Sequence, residues 1–418
     1  MSAVALKPAV DRREAIMAAA RACFFERGFD RTSIDAVAAE AKVSKQTIYE
    51  FFASKTKLFE AVVRATLAAG REHLDAVATD TADPRKSLER FAGHLFARFV
   101  DPSNLGLFRA SIVATRQMPK LAADLHRQRL GAGDAVGRFV EELAGQSVLE
   151  TTEPMRAGVR LGGLVTEGSR YFLAHAPPAG AERKRLIAAN VTLFLDGYRA
   201  ASDDDQTRPP ASAQFIRPEL GQQVAVRLVP VKLAALFATA AEEFLALGYA
   251  RASLDRVARS TGVSKSTLHR QFVDKQGLFA HVVGIRIHKI AQALPPTAPT
   301  ANLEHDIATL AAATLDAHLA GDLIALHHLM IEEAAAFGDL ARSLYDAQIA
   351  AVANALAPLL AAHGWPCPGA RGVRAFHTLA TFGVRFLTAE RLPGRRRRDD
   401  LAVETARIFL YGLAAQSS

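Results

Sequence analysis

Apolar residues recur along this chain at three- and four-residue intervals, the spacing that gives a helix one buried stripe. Ile16, Ala20, Cys23, Phe24 and Arg27 follow that period, and Leu236, Ala240, Phe244 and Leu247 repeat it. Gly28 and Gly248 then stand where a helix stops, since glycine takes positive φ without steric cost. Ser33 and Ser253 are spaced to cap a short second helix. Asp35 and Asp255 fall in its first turn, where the helix dipole favours an acid. That helix is predicted to end about Glu40 or Ser260. After a three-residue turn, Ser44 and Ser264 cap a third helix, with Val43 and Ile48, or Val263 and Leu268, forming a hydrophobic staple. Ser54 and Asp274 open a fourth, whose Leu58, Phe59 and Val62 face the core. Alternating β-branched runs are rare, and no Asn-Gly or Asp-Gly hairpin turn joins a pair of them, so the predicted fold class is all-α.

The two sets of predicted helices are copies. Shifted by 220 residues, the chain matches itself from Gly28–Val63 to Gly248–Val283 at 16 of 36 positions without a gap. Fainter echoes follow: "RYFLA" (170–174) with "RFLTA" (385–389), and "FLDGYRA" (194–200) with "FLYGLAA" (409–415). A period of this kind sets the architecture before any fold is assigned. Two equivalent units are expected. The first has a helix-turn-helix head at 1–64 and a helical effector-binding and pairing domain at 65–200. A Pro-, Asp- and Gln-rich linker occupies 201–229, then a second head 230–285 and a second helical domain 286–418. The last segments, Leu186–Tyr198 and Leu401–Leu413, carry apolar stripes suited to pairing the halves in a four-helix seam.

Two short helices joined by a tight turn and braced by a longer one make a helix-turn-helix, which projects the start of its second short helix into the DNA major groove. With Ile48 and Phe52 in the core, Lys45, Gln46, Thr47 and Tyr49 face outward. Lysine and tyrosine suit phosphate, while Gln46 and Thr47 can read base edges. Lys55 sits at the next helix's N-terminus, where free backbone N–H groups also favour phosphate. The second copy offers Lys265, Ser266, Thr267, His269, Arg270 and Lys275. Residues 11–64 carry ten basic and eight acidic side chains, and residues 231–286 carry eight and four.

The stretch "RTSIDAVAAEAKVSKQTIYEFFASKTKLFEAVV" closely resembles the N-terminal DNA-binding domain of the TetR/AcrR family of bacterial transcriptional regulators. "LFRASIVATRQMPKLAADLHRQ" (107–128) is similar to a segment common in that family's C-terminal domain. The resemblance implies an all-α regulator working as a dimer, in which a small-molecule effector bound in the helical domain changes the separation of the reading heads. It places Thr47 and Tyr49 in the recognition helix, makes Tyr49 and Lys55 phosphate clamps, and sets Ser33 near the DNA backbone. Ser44, Ser253 and Ser264 belong to the same predicted surface. The chain departs from the family in carrying two copies, so that one polypeptide could supply both heads, and in placing His269 where tyrosine is usual. A neutral histidine can still donate a hydrogen bond. Unequal heads imply unequal half-sites in the DNA operator.

Composition changes this picture little. At 418 residues the chain exceeds one ordinary core. A net charge of +8 permits an anionic partner without demanding one. Two cysteines exclude a disulfide framework, and Met1 to Arg13 lacks the apolar core of a signal peptide. Apolar stretches such as "LAALFATAAEEFLAL" carry acids at helical spacing, so no membrane partner and a cytoplasmic location are expected. Four further features need a reading. "GRRRRDD" (394–400) is expected as a solvated loop before the last helix. His327-His328 with Glu332-Glu333 are read as exposed or pocket-lining residues rather than a metal site. Trp365 in "GWPCPG" is read as an aromatic plug in a helix–helix turn. Phe96, Phe99, Phe108 and Met118 are candidate lining for an effector pocket, though core packing explains them equally well. Neither a phosphate-cradling loop nor a nucleophile elbow is present, so no cofactor and no enzymatic activity are expected. Two readings stand: a ligand-responsive DNA-binding regulator, most simply a repressor, whose halves form a pseudo-dimer that could itself pair into a homodimer; or a helical ligand-binding protein with one or both heads degenerate.

Overall fold

The computed structural model describes residues 6–75, 77–114, 134–199, 231–294, 298–383, 385–388 and 391–416, and every regular element among them is a helix. The expected linker and most of the 107–128 segment, Met118 included, lie outside the described residues. The chain divides into two compact units. One holds Met1–Thr166 and Pro177–Leu195 with Thr388–Arg391; the other holds Glu167–Ala176, Asp196–Leu387 and Leu392–Ser418.

In the first unit, α1 (Leu6–Arg31) is broken at Gly28, whose φ of 78° and ψ of 170° exclude a side chain. Thr32 ties off the break by donating to the carbonyls of Gly28 and Cys23, at 2.7 and 3.0 Å. Helices α2 (Ile34–Ala41), α3 (Lys45–Phe51) and α4 (Lys55–Asp75) complete the head. Each predicted cap forms: Ser33 accepts from Ala36 N–H, Ser44 from Thr47 N–H and Ser54 from Lys57 N–H. Ile16, Phe24, Ile48, Phe59 and Val63 are completely buried, and the rings of Phe24 and Phe59 meet edge-on at 5.1 Å. Each such aromatic contributes roughly 1.5–3 kcal/mol by leaving water. Helices α5 (Pro84–Phe99), α6 (Pro102–Ala114), α7 (Asp134–Gly145) and α8 (Pro154–Thr166), with α9 (Gly180–Tyr198) as far as Leu195, form the rest. Phe96 and Phe99 are buried, and Phe99 packs on the half-buried Phe108 with ring centres 5.6 Å apart.

In the second unit, α10 (Val231–Arg251), broken at Gly248 (φ 79°), α11 (Leu254–Thr261), α12 (Lys265–Phe272) and α13 (Lys275–Ala291) repeat the head. Ser253, Ser264 and Asp274 accept from the N–H groups of Arg256, Thr267 and Gly277. Helices α14 (Leu303–Leu319), α15 (Gly321–Glu332), α16 (Gly338–Ala362), α17 (Ala370–Thr381) and α18 (Arg395–Gln416) follow. Leu233–Arg251 and Gly338–Ala362 have the length and apolarity of a membrane span. In this fold the first packs Leu236, Ala240 and Phe244 inside the head, and the second buries Leu344, Tyr345, Leu356 and Leu360.

Three local expectations need correcting. The arginines of "GRRRRDD" are not a loop: α18 starts at Arg395, because arginine is a good helix former and only Gly394 before it breaks the pattern. Arg398 reaches Asp316 on α14 at 2.7 Å. His327 and His328 are buried, not exposed; His328 Nε2 donates to the Leu387 carbonyl at 2.6 Å, and His327 Nδ1 to that of Leu323 at 2.9 Å. Trp365 is only half-buried in the turn before α17, with its backbone N–H on the Leu360 carbonyl. Among the described residues no group of three His, Cys, Asp or Glu side chains is placed to hold a metal ion.

The second unit also contains first-half residues. Glu167 is buried and accepts from Arg374 on α17 and from Arg170, each at 2.6 Å, and from the Tyr171 hydroxyl. Burial alone would raise its pKa, but Arg374 and Arg170 outweigh that and hold the carboxyl below its usual value. Arg342 donates to the Ala174 carbonyl, and Tyr198 to Glu404 on α18.

Candidate nucleic-acid interface

The recognition helix α3 presents Lys45, Gln46 and Tyr49 to solvent, with Tyr49 46% exposed, while Ile48 and Phe52 sit beneath in the core. Thr47 is half-buried. Its hydroxyl shares a 2.9 Å hydrogen bond with Ser44, so the residue expected to read a base also holds the cap. Ser33 and Ser44 are exposed at the N-termini of α2 and α3. Asp35 was not foreseen as part of this surface: Lys45 Nζ lies 3.1 Å from its carboxylate. Both partners are exposed, so this ion pair is weak in water and open to exchange for a phosphate.

Lys55 behaves differently. Its ammonium lies over the Phe29 ring, 4.4 Å from the centroid. The second copy repeats the arrangement, with Lys275 4.7 Å above Tyr249 and donating to the Ala250 carbonyl at 3.1 Å. Burial lowers the Lys275 pKa, though Glu333 and Glu243 oppose the shift. Both amines are thus stacked on their own heads, by a cation–π contact that sequence reading missed although an aromatic stands at 29 and at 249.

The second recognition helix departs from the first at its end. In α12, Ser266, His269 and Arg270 are exposed, and Thr267 is half-buried with its hydroxyl 2.8 Å from that of Ser264; the Lys265 side chain lies outside the described residues. His269 Nδ1 donates to the Val273 carbonyl at 3.0 Å, which leaves Nε2 as an acceptor. The neutral ring therefore uses its one donor inside its own helix, and the phosphate bond expected from it is not available in this tautomer. Val273 itself is 78% exposed with φ 62° and ψ −56°, and Asp274 N–H closes a γ-turn onto the Phe272 carbonyl at 2.6 Å. That turn is rare and strained for a β-branched residue. The first copy has Ala53 there and closes without it: Phe52, at the end of α3, has extended backbone. Glu243 also takes a role without a first-copy counterpart, accepting from Ser253 N–H and Arg256 Nε at 2.9 and 2.8 Å.

Away from the heads, a cavity of about 400 Å³ opens among α13 to α17 of the second unit, lined by Leu323, Leu326, Val352, His318, His377 and Lys289 among others.

Two stretches, residues 16–62 and 236–282, match the model of the bacterial regulatory proteins of the TetR family, and residues 86–200 match that of the AefR-like transcriptional repressor C-terminal domain. The HTH-type transcriptional activator FasR of Mycolicibacterium smegmatis is 27% identical over 174 residues, 41% of this chain and 76% of that protein. The uncharacterized HTH-type transcriptional regulator YhgD of Bacillus subtilis is 36% identical over 66 residues, 16% of this chain and 35% of that one. A TetR family transcriptional regulator from Pseudomonas syringae pv. tomato of known structure is 26% identical, with a TM-score of 0.38, over 45% of this chain and 97% of its own. With two capped helix-turn-helix heads that each match, the chain belongs to the TetR family of DNA-binding transcriptional regulators, as a tandem duplication of its DNA-binding unit.

Proposed function

We propose that the chain works as a single-chain pseudo-dimer: a sequence-specific repressor whose two heads read unequal half-sites of one operator, released by a small molecule bound in a helical C-terminal region. One observation carries the pseudo-dimer. Gly168 and Gly383 occupy equivalent places in "LGGLVTEG" (161–168) and "FHTLATFG" (376–383). Both have left-handed backbone, with φ of 64° and 60°, as do their neighbours Glu167 and Phe382 at 50° and 55°. A Cβ added to either glycine would lie 3.3 or 3.2 Å from the other's Cα. Equivalent residues of two copies abut only near an axis that relates the copies. Repression is favoured by the AefR-like match over 86–200. The exposed Lys45, Gln46 and Tyr49 carry the DNA contact in the first head, with Ser33, Ser44, Thr47 and Lys55 around them. Ser253, Ser264, Lys265, Ser266, Thr267, Arg270 and Lys275 form the second surface. A second reading, in which that head is a weaker or scaffolding partner, is favoured by the internal bond of His269 and the strained turn at Val273. DNA as the partner puts the site of action in the cytoplasm of a bacterium.

Footprinting on DNA flanking the gene, or on sequences selected from random DNA, tests this, with molar mass measured on the same sample. Protection of two successive major grooves by one chain, weakened by Tyr49→Ala and by Arg270→Ala, is the expected result. Loss with Tyr49→Ala alone supports the second reading. A complex holding two chains per operator at any dilution overturns the single-chain arrangement.

A further inference from the structure

The cavity of the second unit has an apolar wall and a polar floor that the fold leaves incompletely hydrogen-bonded. His318 and His377 both line it and are almost completely buried. Their tautomers follow from the neighbours. The carboxamide nitrogen of Gln348 donates to His327 Nε2 at 3.1 Å, and His327 Nδ1 donates to Leu323, so His327 is fully used. The carboxamide oxygen of Gln348 accepts from His377 Nε2 at 3.3 Å, which makes Nδ1 of His377 an acceptor. That Nδ1 has no hydrogen-bond partner, and His318 makes no bond of ordinary geometry: the side chain nearest to partnering it is Gln348, whose carboxamide is already engaged by His327, His377 and the Leu344 carbonyl. Buried polar atoms in this state are uncommon and ask for a reason. Burial, reinforced by the neighbouring imidazoles, holds His318 well below its ordinary pKa, and His377 is lowered to about 3. The floor is therefore neutral and offers one donor and two acceptors. The charged lining residues, Lys289, Arg286 and Asp322, are exposed or half-buried, and Arg286 is tied to Asp322 at 2.5 Å. The first half does not repeat this chemistry, because the place of His377 is taken there by Gly162.

We propose that this cavity is a binding site particular to the second half, for an uncharged apolar molecule bearing a hydroxyl group, which donates to one imidazole acceptor and accepts from the His318 N–H. This names the ligand class of the effector and rests on the reading of the chain as an effector-controlled regulator. A carboxylate fits the same volume badly. It brings acceptors only, cannot satisfy His377 Nδ1, and must surrender its hydration on a floor without a buried cation.

The test uses the full chain and two probes of one shape, 2-naphthol and 2-naphthoate, titrated by calorimetry at pH 7.5. The expected result is saturable naphthol binding at one site per chain, with naphthoate at least tenfold weaker. His318→Leu should weaken naphthol at least tenfold, with the unliganded chain folded by circular dichroism and no less thermally stable. His377→Leu is the second variant and should act the same way on binding. Equal or tighter naphthoate binding, two naphthol sites per chain, no saturable binding up to millimolar naphthol, or indifference to both substitutions would each overturn the proposal. DNA binding measured on the same samples keeps the two readings apart. Its retention without naphthol binding sinks the ligand class alone, and its absence with naphthol binding intact sinks the regulator.

Discussion

Lys45 is held 3.1 Å from Asp35, two exposed groups on neighbouring helices of the first head. If Lys45 exchanges that carboxylate for a phosphate, Lys45→Ala should weaken operator binding and reduce the slope of log affinity against log salt by about 1. Asp35→Asn should strengthen binding, since the lysine then leaves no partner behind. Affinities measured across a salt series for the three proteins check this, and an unchanged slope for Lys45→Ala would remove that residue from the interface. Lys45, Gln46 and Tyr49 could be picked out in sequence because a capped helix with known core positions fixes which side chains remain outside. The Asp35 pairing and the stacking of Lys55 on Phe29 could not, since both depend on how far one helix stands from the next.

Serine caps open both helices of each helix-turn-helix, and every one forms where the spacing requires it. Ser44→Ala should cost about 1 kcal/mol of stability in the first head, the usual cost of a lost cap. Here the loss also frees the Thr47 hydroxyl. Chemical denaturation of the full chain reads this as a lower midpoint for the first transition, and an unchanged midpoint would show that the cap contributes nothing. The end of α12 gives the opposite sign. Val273→Gly relieves a β-branched residue held at φ 62°, and should raise stability of the second head by about 1 kcal/mol despite glycine's greater freedom when unfolded. A fall on that substitution would mean that the γ-turn is not strained. Helix starts are local chemistry and were legible residue by residue. The turn at Val273 was not, because "FVDKQG" differs from "FASKTK" in ways that no propensity distinguishes.

Three buried histidines link the second unit's stability to pH. Burial lowers His327 to about 4 and His377 to about 3, and holds His318 well below the ordinary imidazole value of about 6.5. Their folded pKa values lie below those of the unfolded chain, so the unfolded state takes up protons first as pH falls. Stability contributed by these groups is complete above about pH 6.5 and is lost below it, at up to about 1.4 kcal/mol per pH unit for each histidine that stays neutral. Glu167, held low by Arg374 and Arg170 against its own burial, adds a further loss as pH drops through the carboxylate range. Urea denaturation at pH 7, 6 and 5 should show the decline, and the His318→Leu, His377→Leu double variant, which keeps His327, should make it shallower above pH 5. A decline of the same steepness in that variant would place the cause elsewhere.

The chain's own order of residues was enough to establish helices, caps, duplication, family and part of the outward face of each head. All of these are set by contacts within about four residues or by resemblance between two stretches of one line of text. Only the folded molecule decided which buried polar groups meet. Glu167 finds Arg374 207 residues away, Gly168 meets its own counterpart Gly383, and His318 and His377 come to one cavity floor from separate helices. Apolar stripes state that a face is buried, but not what it is buried against. Partner choice depends on side chains brought together by packing, and no local period records that.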